Sequence, residues 1–420
     1  MKPGSRYAHA VAAFVLCGMP VFAQTAVFWA LPNFSDRVAV RVTNPSDAPL
    51  HTLAVLDIAK VRKTAPGFPG TLVIVAQQNG RTRYLPSQVD SGSSGEPAGA
   101  FVFPVSLAPH QQQTLEIYYS QTLHEKLPWP MLVYAAHSYG YNHATAAIES
   151  DLIGYRTYGG FFLDVQAHEK GERGLFNSLI GYTSTSRPPV EGQDVIHLGD
   201  TLGLGGIFLR SGNIVYRPPM NTPEYAHRPP KQEEPIYRIL KTGPLRALVE
   251  AILPRWTIGS DTVALRAIYE MRAGEEEVHC HIWITPLHLS RRYQVGVGFR
   301  DLPDMRSMNQ AGLMAVDGVQ EKSVGRIGLG LAFNTAAAHR AGVLITPDGR
   351  NEIIIFNKPL VTGHIIEITY AVAAAWQDGG WASPVQHVVQ VLRQERNQPE
   401  IAVLLHQRTP NPERLESEPR

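Results

Sequence analysis

Period-two alternation of apolar and polar residues runs through most of this chain, and it commits the fold to β-sheet. In "RVAVRVTNP", Val38, Val40 and Val42 alternate with Arg37, Ala39 and Arg41, and Asn44-Pro45 ends the run. Successive side chains of a strand point to opposite faces, so such a run has one face for a core and one for solvent. "TLVIVAQQNGRTRYLP" reads as strand, Asn-Gly turn and strand. "AFVFPVSLAP" and "QTLEIYYS" continue the pattern, so residues 24–125 read as a small antiparallel β domain. "HEKLPWP", with two prolines in three residues, closes it.

The same alternation returns over residues 126–396. "GGIFLRSGNIVYRP" reads as a hairpin turning at Ser211-Gly212-Asn213. "TVALRAIYEMR", "EEVHCHIWITPL", "YQVGVGF", "GLGLAF", "AGVLIT", "NEIIIFN" and "HIIEITYAVAAAW" follow at short spacing. "LRALVEAILPRW" has a helical composition, but Pro254 and the neighbouring strands favour strand. The expectation is an all-β protein, a small N-terminal antiparallel domain followed by a large β-sandwich. One C-terminal helix is signalled: Ser383 caps, Pro384 suits the first turn, and Val385, Val388, Val389 and Leu392 form an apolar stripe. Residues 397–420, polar and proline-containing, are expected to form an unstructured tail.

The chain starts "MKPGSRYAHAVAAFVLCGMPVFAQ". Lys2 and Arg6 precede an apolar stretch from Val11 to Phe22, and Val21 and Ala23 are small enough for cleavage after Ala23. Residues 1–23 are therefore read as a secretory signal peptide, with the mature protein periplasmic or secreted. Leu16 before Cys17 argues against a lipoprotein signal. After cleavage Cys280 stands alone, so no internal disulfide is expected. No other apolar run approaches the ~20 residues of a membrane helix. A net charge of +1, from Lys+Arg 38 against Asp+Glu 37, argues against nucleic acid as a partner. No motif calls for a cofactor or a resident metal, and the oligomeric state stays open.

"GQDVIHLGDTLGLGG" (192–206) is the densest glycine cluster. A dinucleotide loop would need a helix after "GLGG", yet "IFLRSGNIVY" follows, and no Gly-Lys-Ser/Thr of a phosphate loop is present. What remains is a turn whose backbone, at Gly205 and Gly206, comes close to something. Asp194, His197 and Asp200 flank it and can reach a cleft. In "YNHATAAIESDLIGYRTYGGFFLDV", Glu149 and Asp151 share a strand face, as do Arg156 and Tyr158 on the next strand. Arginine grips a carboxylate with two parallel hydrogen bonds. Tyrosine or histidine moves a proton at the carbon beside that carboxylate or at a leaving oxygen. His143 is a second histidine for that task. The competing reading is a structural salt-bridge cluster, with solvated histidines.

Other signals are weaker. His279 and His281 share a strand face as a metal-like pair, but no third ligand follows from spacing. "DSGSSGE" (90–96) has Gly92 and Ser94 where a calcium loop wants acids. Trp256, Tyr269, Trp376 and Trp381 suit sugar stacking or core packing, and Trp256 is taken as substrate-binding. There is no Gly-x-Ser-x-Gly elbow, and Cys280 sits in a core-type strand.

Three stretches together resemble the DUF4861 family of exported bacterial proteins: "YLPSQVDSGSSGEPAGAFVFPVSLAPHQQQTLEIYY", "AAIESDLIGYRTYGG" and the glycine stretch. The resemblance implies a galactose-mutarotase-like or polysaccharide-lyase-like sandwich and a place in polysaccharide degradation. It implies lyase or dehydratase action on uronic-acid-containing oligosaccharides, an acidic saccharide being the expected partner. The family's His-x2-His-like stretch before the glycines reads "TSTSRPPVEGQD" here, without histidine. A non-catalytic carbohydrate-binding protein and a mutarotase-like epimerase are the alternatives. In the lyase reading, Arg156 holds the carboxylate, Tyr158, His143 or His197 moves the proton, and Glu149, Asp151, Asp194 and Asp200 bind hydroxyls or orient these groups.

Overall fold

The computed structural model describes residues 31–408, apart from 32, 79–81, 91–98, 125–126, 128, 141–142, 158–160, 171, 177–191, 197, 220–231, 322–323 and 396–397. The expected signal peptide, the Asn-Gly turn at 79–80 and most of the "DSGSSGE" stretch lie outside the described residues.

Two cores organise the chain. The first lies between a five-stranded and a three-stranded antiparallel sheet. Val38, Val40 and Val42 turn inward from one sheet, and Phe101 and Phe103 from the other. A short helix, α1 (Ile58–Thr64), follows the second strand; the Asp57 carboxylate accepts from the amides of Ala59 and Lys60 and caps it. This domain recruits a strand from the far end of the chain. Glu400–Arg408 pairs antiparallel with Asp36–Thr43, correcting the expected tail. Its alternation is muted because only Ile401 and Val403 pack on the core. Its tether is polar: the Gln407 amide oxygen accepts from Arg37 Nε at 2.7 Å.

The second core lies between a ten-stranded and an eight-stranded sheet, a large β-sandwich. The hairpin at Ser211–Ile214 forms as expected. "LRALVEAILPRW" is a strand, Arg246–Ile258. Pro254 fits this interior strand because the register with its partner slips between Leu253 and Trp256, a bulge where no ladder donor is needed. The expected helix is α2 (Pro384–Glu395). Its stripe of Val385, Val388, Val389 and Leu392 covers an alanine patch, Ala315, Ala332, Ala371, Ala373 and Ala375, on the outer face of the eight-stranded sheet. Small residues on that patch let the helix lie close.

The domains are stitched by polar groups around an apolar contact. Gln88 accepts from the amides of Leu245 and Arg246 at 2.8 and 3.0 Å and donates to the Arg246 carbonyl at 2.9 Å. Thr52 donates to Glu275 at 2.6 Å, and Leu53 and Val102 pack on Leu245.

Candidate functional site

Strand register builds a polar cluster on the outer face of the ten-stranded sheet. Arg156 pairs across to Ala147 on one side and Asp164 on the other. Gly154 pairs with Glu149 and Gln166, and Gln166 pairs with Asp194. Alternation then sends Ile148, Tyr155 and Val165 into the core and leaves Glu149, Arg156, Asp164 and Asp194 on the opposite face.

These groups are buried. Arg156 Nη2 lies 2.5 Å from Asp164 Oδ2 and 3.7 Å from Asp194 Oδ2. Arg156 and Asp164 side chains are 3% and 5% exposed, while Asp194 is 38% exposed, so water reaches the cluster at Asp194. Asp164 also accepts from the Val165 amide at 2.9 Å. Burial and the neighbouring Asp194 carboxylate push the Asp164 carboxyl well above the usual carboxylate range, against the pull of Arg156. Glu149 is fully buried and accepts from the Phe176 amide. Phe176 in turn stacks on His168, ring centroids 4.1 Å apart.

The expected residues are partly gathered here. Glu149, Arg156 and Asp194 share the face. Asp151 does not share the strand alternation: it sits in the turn after His143–Ser150, and burial raises its carboxyl above the usual range. His143 begins that strand, and its side chain lies outside the described residues, as do Tyr158 and His197. Asp200 is drawn aside, 2.5 Å from Arg217.

Three expected contacts are corrected. Trp256 is 3% exposed within the sandwich core. Gly205 and Gly206 are buried on the strand Leu204–Ser211. Gly205 (φ +77) occupies the bulge between Leu204 and Gly206, where a Cβ would come within 3.1 Å of Val372 Cγ1 and 3.3 Å of Tyr370 Cε2. A Cβ on Gly206 would lie 2.4 Å from the Leu202 carbonyl oxygen. The Gly205 backbone approaches the opposite sheet, while Gly206 closes on its own turn at Leu202. Sequence reading missed Asp164 and His168. Asp164 stands in "FFLDV", and only the pairing with Arg156 singles it out.

A second concave feature lies on the opposite side of the sandwich. A cleft of about 950 Å³ runs between the small domain and the outer face of the eight-stranded sheet. Arg246 is one wall, held by Asp90 at 2.7 Å and Glu270 at 2.8 Å. His279 and His281 stand on its floor, bonded through Nε2 to Glu275 at 3.0 Å and Glu367 at 2.5 Å. Glu275, Glu277 and His279 bring ligand-type atoms within 4.8 Å of one another, a metal-compatible spacing that the sequence pairing of His279 with His281 did not anticipate.

Among the solved structures that resemble the chain are two from Enterococcus faecalis. One is a glycosyl hydrolase family 38 protein from Enterococcus faecalis, 8% identical, TM-score 0.47, covering 88% of this chain and 47% of that one. The other is an α-mannosidase from Enterococcus faecalis V583, 8% identical, TM-score 0.46, covering 89% of this chain and 46% of that one. The chain spans about half the length of both. No curated protein matches it. Residues 42–387 match the family described as a domain of unknown function, DUF4861. That match takes in both sheets of the sandwich and most of the small domain, and the chain belongs to the DUF4861 family.

Proposed function

We propose that this is an exported, carbohydrate-active protein that acts as a lyase or dehydratase on uronic-acid-containing oligosaccharides, with the Arg156 cluster at its centre. The observation that supports this reading is a buried arginine beside two aspartates of unlike character. Asp164 is biased to its neutral, proton-donating form, and Asp194 is exposed, its Oδ2 3.7 Å from Arg156 Nη2. A carboxyl group held neutral by its surroundings is a usual signature of a general acid.

The reaction uses such an acid. A base takes the proton from the carbon next to the uronate carboxylate. The electron pair forms a new carbon–carbon double bond, and the bond to the oxygen one carbon further breaks. The leaving oxygen takes a proton from an acid. A substrate carboxylate that displaces Asp194 becomes the partner of Arg156, which neutralises the charge that builds as the proton leaves. Asp164 is the acid for the leaving oxygen, and Tyr158, His143 or His197 is the base. Glu149 fixes the backbone at Phe176, and Asp151 lies next to that segment, the Gly174 amide donating to its carbonyl.

A second reading is a sugar-binding protein without turnover, favoured by "TSTSRPPVEGQD", which lacks the family's histidines. One experiment separates them: purified protein is incubated with a panel of acidic oligosaccharides, intact and pre-cut by a lyase. Rising ultraviolet absorbance of a conjugated uronate on intact material supports a lyase, and a change on pre-cut material alone supports a dehydratase. A flat trace with sugar-dependent thermal stabilisation supports binding only.

A further inference from the structure

We infer that the inter-domain cleft is a separate binding site for uncharged, hydroxyl-rich ligands, namely short segments of neutral sugar residues. The cleft opens on the outer face of the eight-stranded sheet and the Arg156 cluster on the outer face of the ten-stranded sheet, with the sandwich core between them. A ligand in one therefore does not touch the other.

Size and position fit a binding site. Ligand pockets favour domain junctions and run to roughly 1,000 Å³, and this one holds about 950 Å³. Its charge excludes an anion. Arg246 is the one permanent cation among the described lining residues, and Asp90 and Glu270 already hold it. Asp57 adds a further carboxylate. A uronate entering here would meet the carboxylates of Asp57, Asp90 and Glu270, and an arginine whose two terminal nitrogens are already paired.

Its surface fits a sugar. Leu248, Ile268, Val55 and Ala100 give apolar contact for C–H faces. Thr335, Thr369 and the Asn334 amide nitrogen have no hydrogen-bond partner among the described residues, and all three residues are exposed. His281 is set in advance. Glu367 holds its Nε2 at 2.5 Å, and its ring lies 3.8 Å from Trp283, whose ring has the Arg266 guanidinium 4.6 Å above it. With Nε2 committed, Nδ1 is left to meet a hydroxyl.

The test is calorimetric titration of the full chain with neutral tetrasaccharides of glucose, mannose, galactose and xylose, and with uronate oligomers for comparison. At least one neutral saccharide should bind. Ile268→Trp and Thr369→Trp, which fill the cleft, should abolish that binding, and His281→Ala should weaken it about tenfold. Arg156→Gln should leave it unchanged. Circular dichroism melts confirm that each variant is folded, and the second tryptophan variant serves if the first is not. Absence of binding by every neutral saccharide, survival of binding in a folded tryptophan variant, or displacement of the neutral saccharide by uronate oligomers would overturn the inference. The readout needs no turnover, so its failure is distinct from failure of the lyase reading.

Discussion

Tyr370 donates its phenolic hydrogen to the carbonyl oxygen of Gly205, 2.8 Å away, across the space between the two sheets of the sandwich. Both residues are buried, and the bond can form because Gly205, at φ +77, bulges its strand toward the other sheet. Gly205→Ala places a Cβ in the left-handed region and against Val372 and Tyr370. A loss of about 2 kcal/mol in chemical denaturation is expected. Tyr370→Phe leaves the Gly205 carbonyl without its donor and is expected to cost about 1 to 3 kcal/mol.

Asp164 sets a pH dependence with a defined sign. Its folded-state pKa is raised, so between the ordinary carboxylate value and the raised one the folded chain binds more protons than the unfolded chain. Stability should therefore fall as pH rises through that window. Asp164→Asn should remove this fall, read as melting temperature against pH.

Asp261 carries the opposite sign. It accepts from Ser290 N at 2.8 Å, Ser290 Oγ at 2.6 Å and Tyr293 Oη at 2.7 Å. These bonds hold its carboxyl down at about 2, outweighing the upward push of burial. Its stabilisation is complete above the unfolded carboxylate value and is lost as pH falls toward 2. Asp261→Ala should lower the melting temperature by several degrees at neutral pH, with a smaller difference in acid.

The strand Glu400–Arg408 makes truncation costly. Deleting residues 400–420 strips Arg37 of Gln407 and uncovers the edge of Asp36–Thr43. A loss of about 3 kcal/mol is expected, detected by denaturation or by earlier proteolysis of the small domain.

Local signals were legible where a single segment carries them. The valines at 38, 40 and 42, the turn at Ser211–Asn213 and the stripe of α2 each declare their element without help from elsewhere. The C-terminal strand was not legible, because its partner lies more than 350 residues away and only two of its side chains meet a core. Period two marked Glu149 and Arg156 each as one face of its own strand, but their common face follows from the register that pairs Arg156 with Ala147 and Gly154 with Glu149. Asp164 was not legible, since its role depends on which strand pairs next to Arg156. Gly205 was legible as a place of close approach, but the approaching group is Tyr370, 165 positions later. The cleft draws its walls from segments as distant as Val55 and Tyr370, so no motif could announce it.

The most direct measurement is the rate of conjugated-uronate absorbance on acidic oligosaccharides, wild type against Asp164→Asn, both shown to be folded. The account expects the wild type to generate the band, its rate to fall as pH rises through the raised Asp164 pKa, and the variant to lose about a hundredfold or more. A flat wild-type trace on every acidic oligosaccharide, or a variant as fast as the wild type, would contradict it.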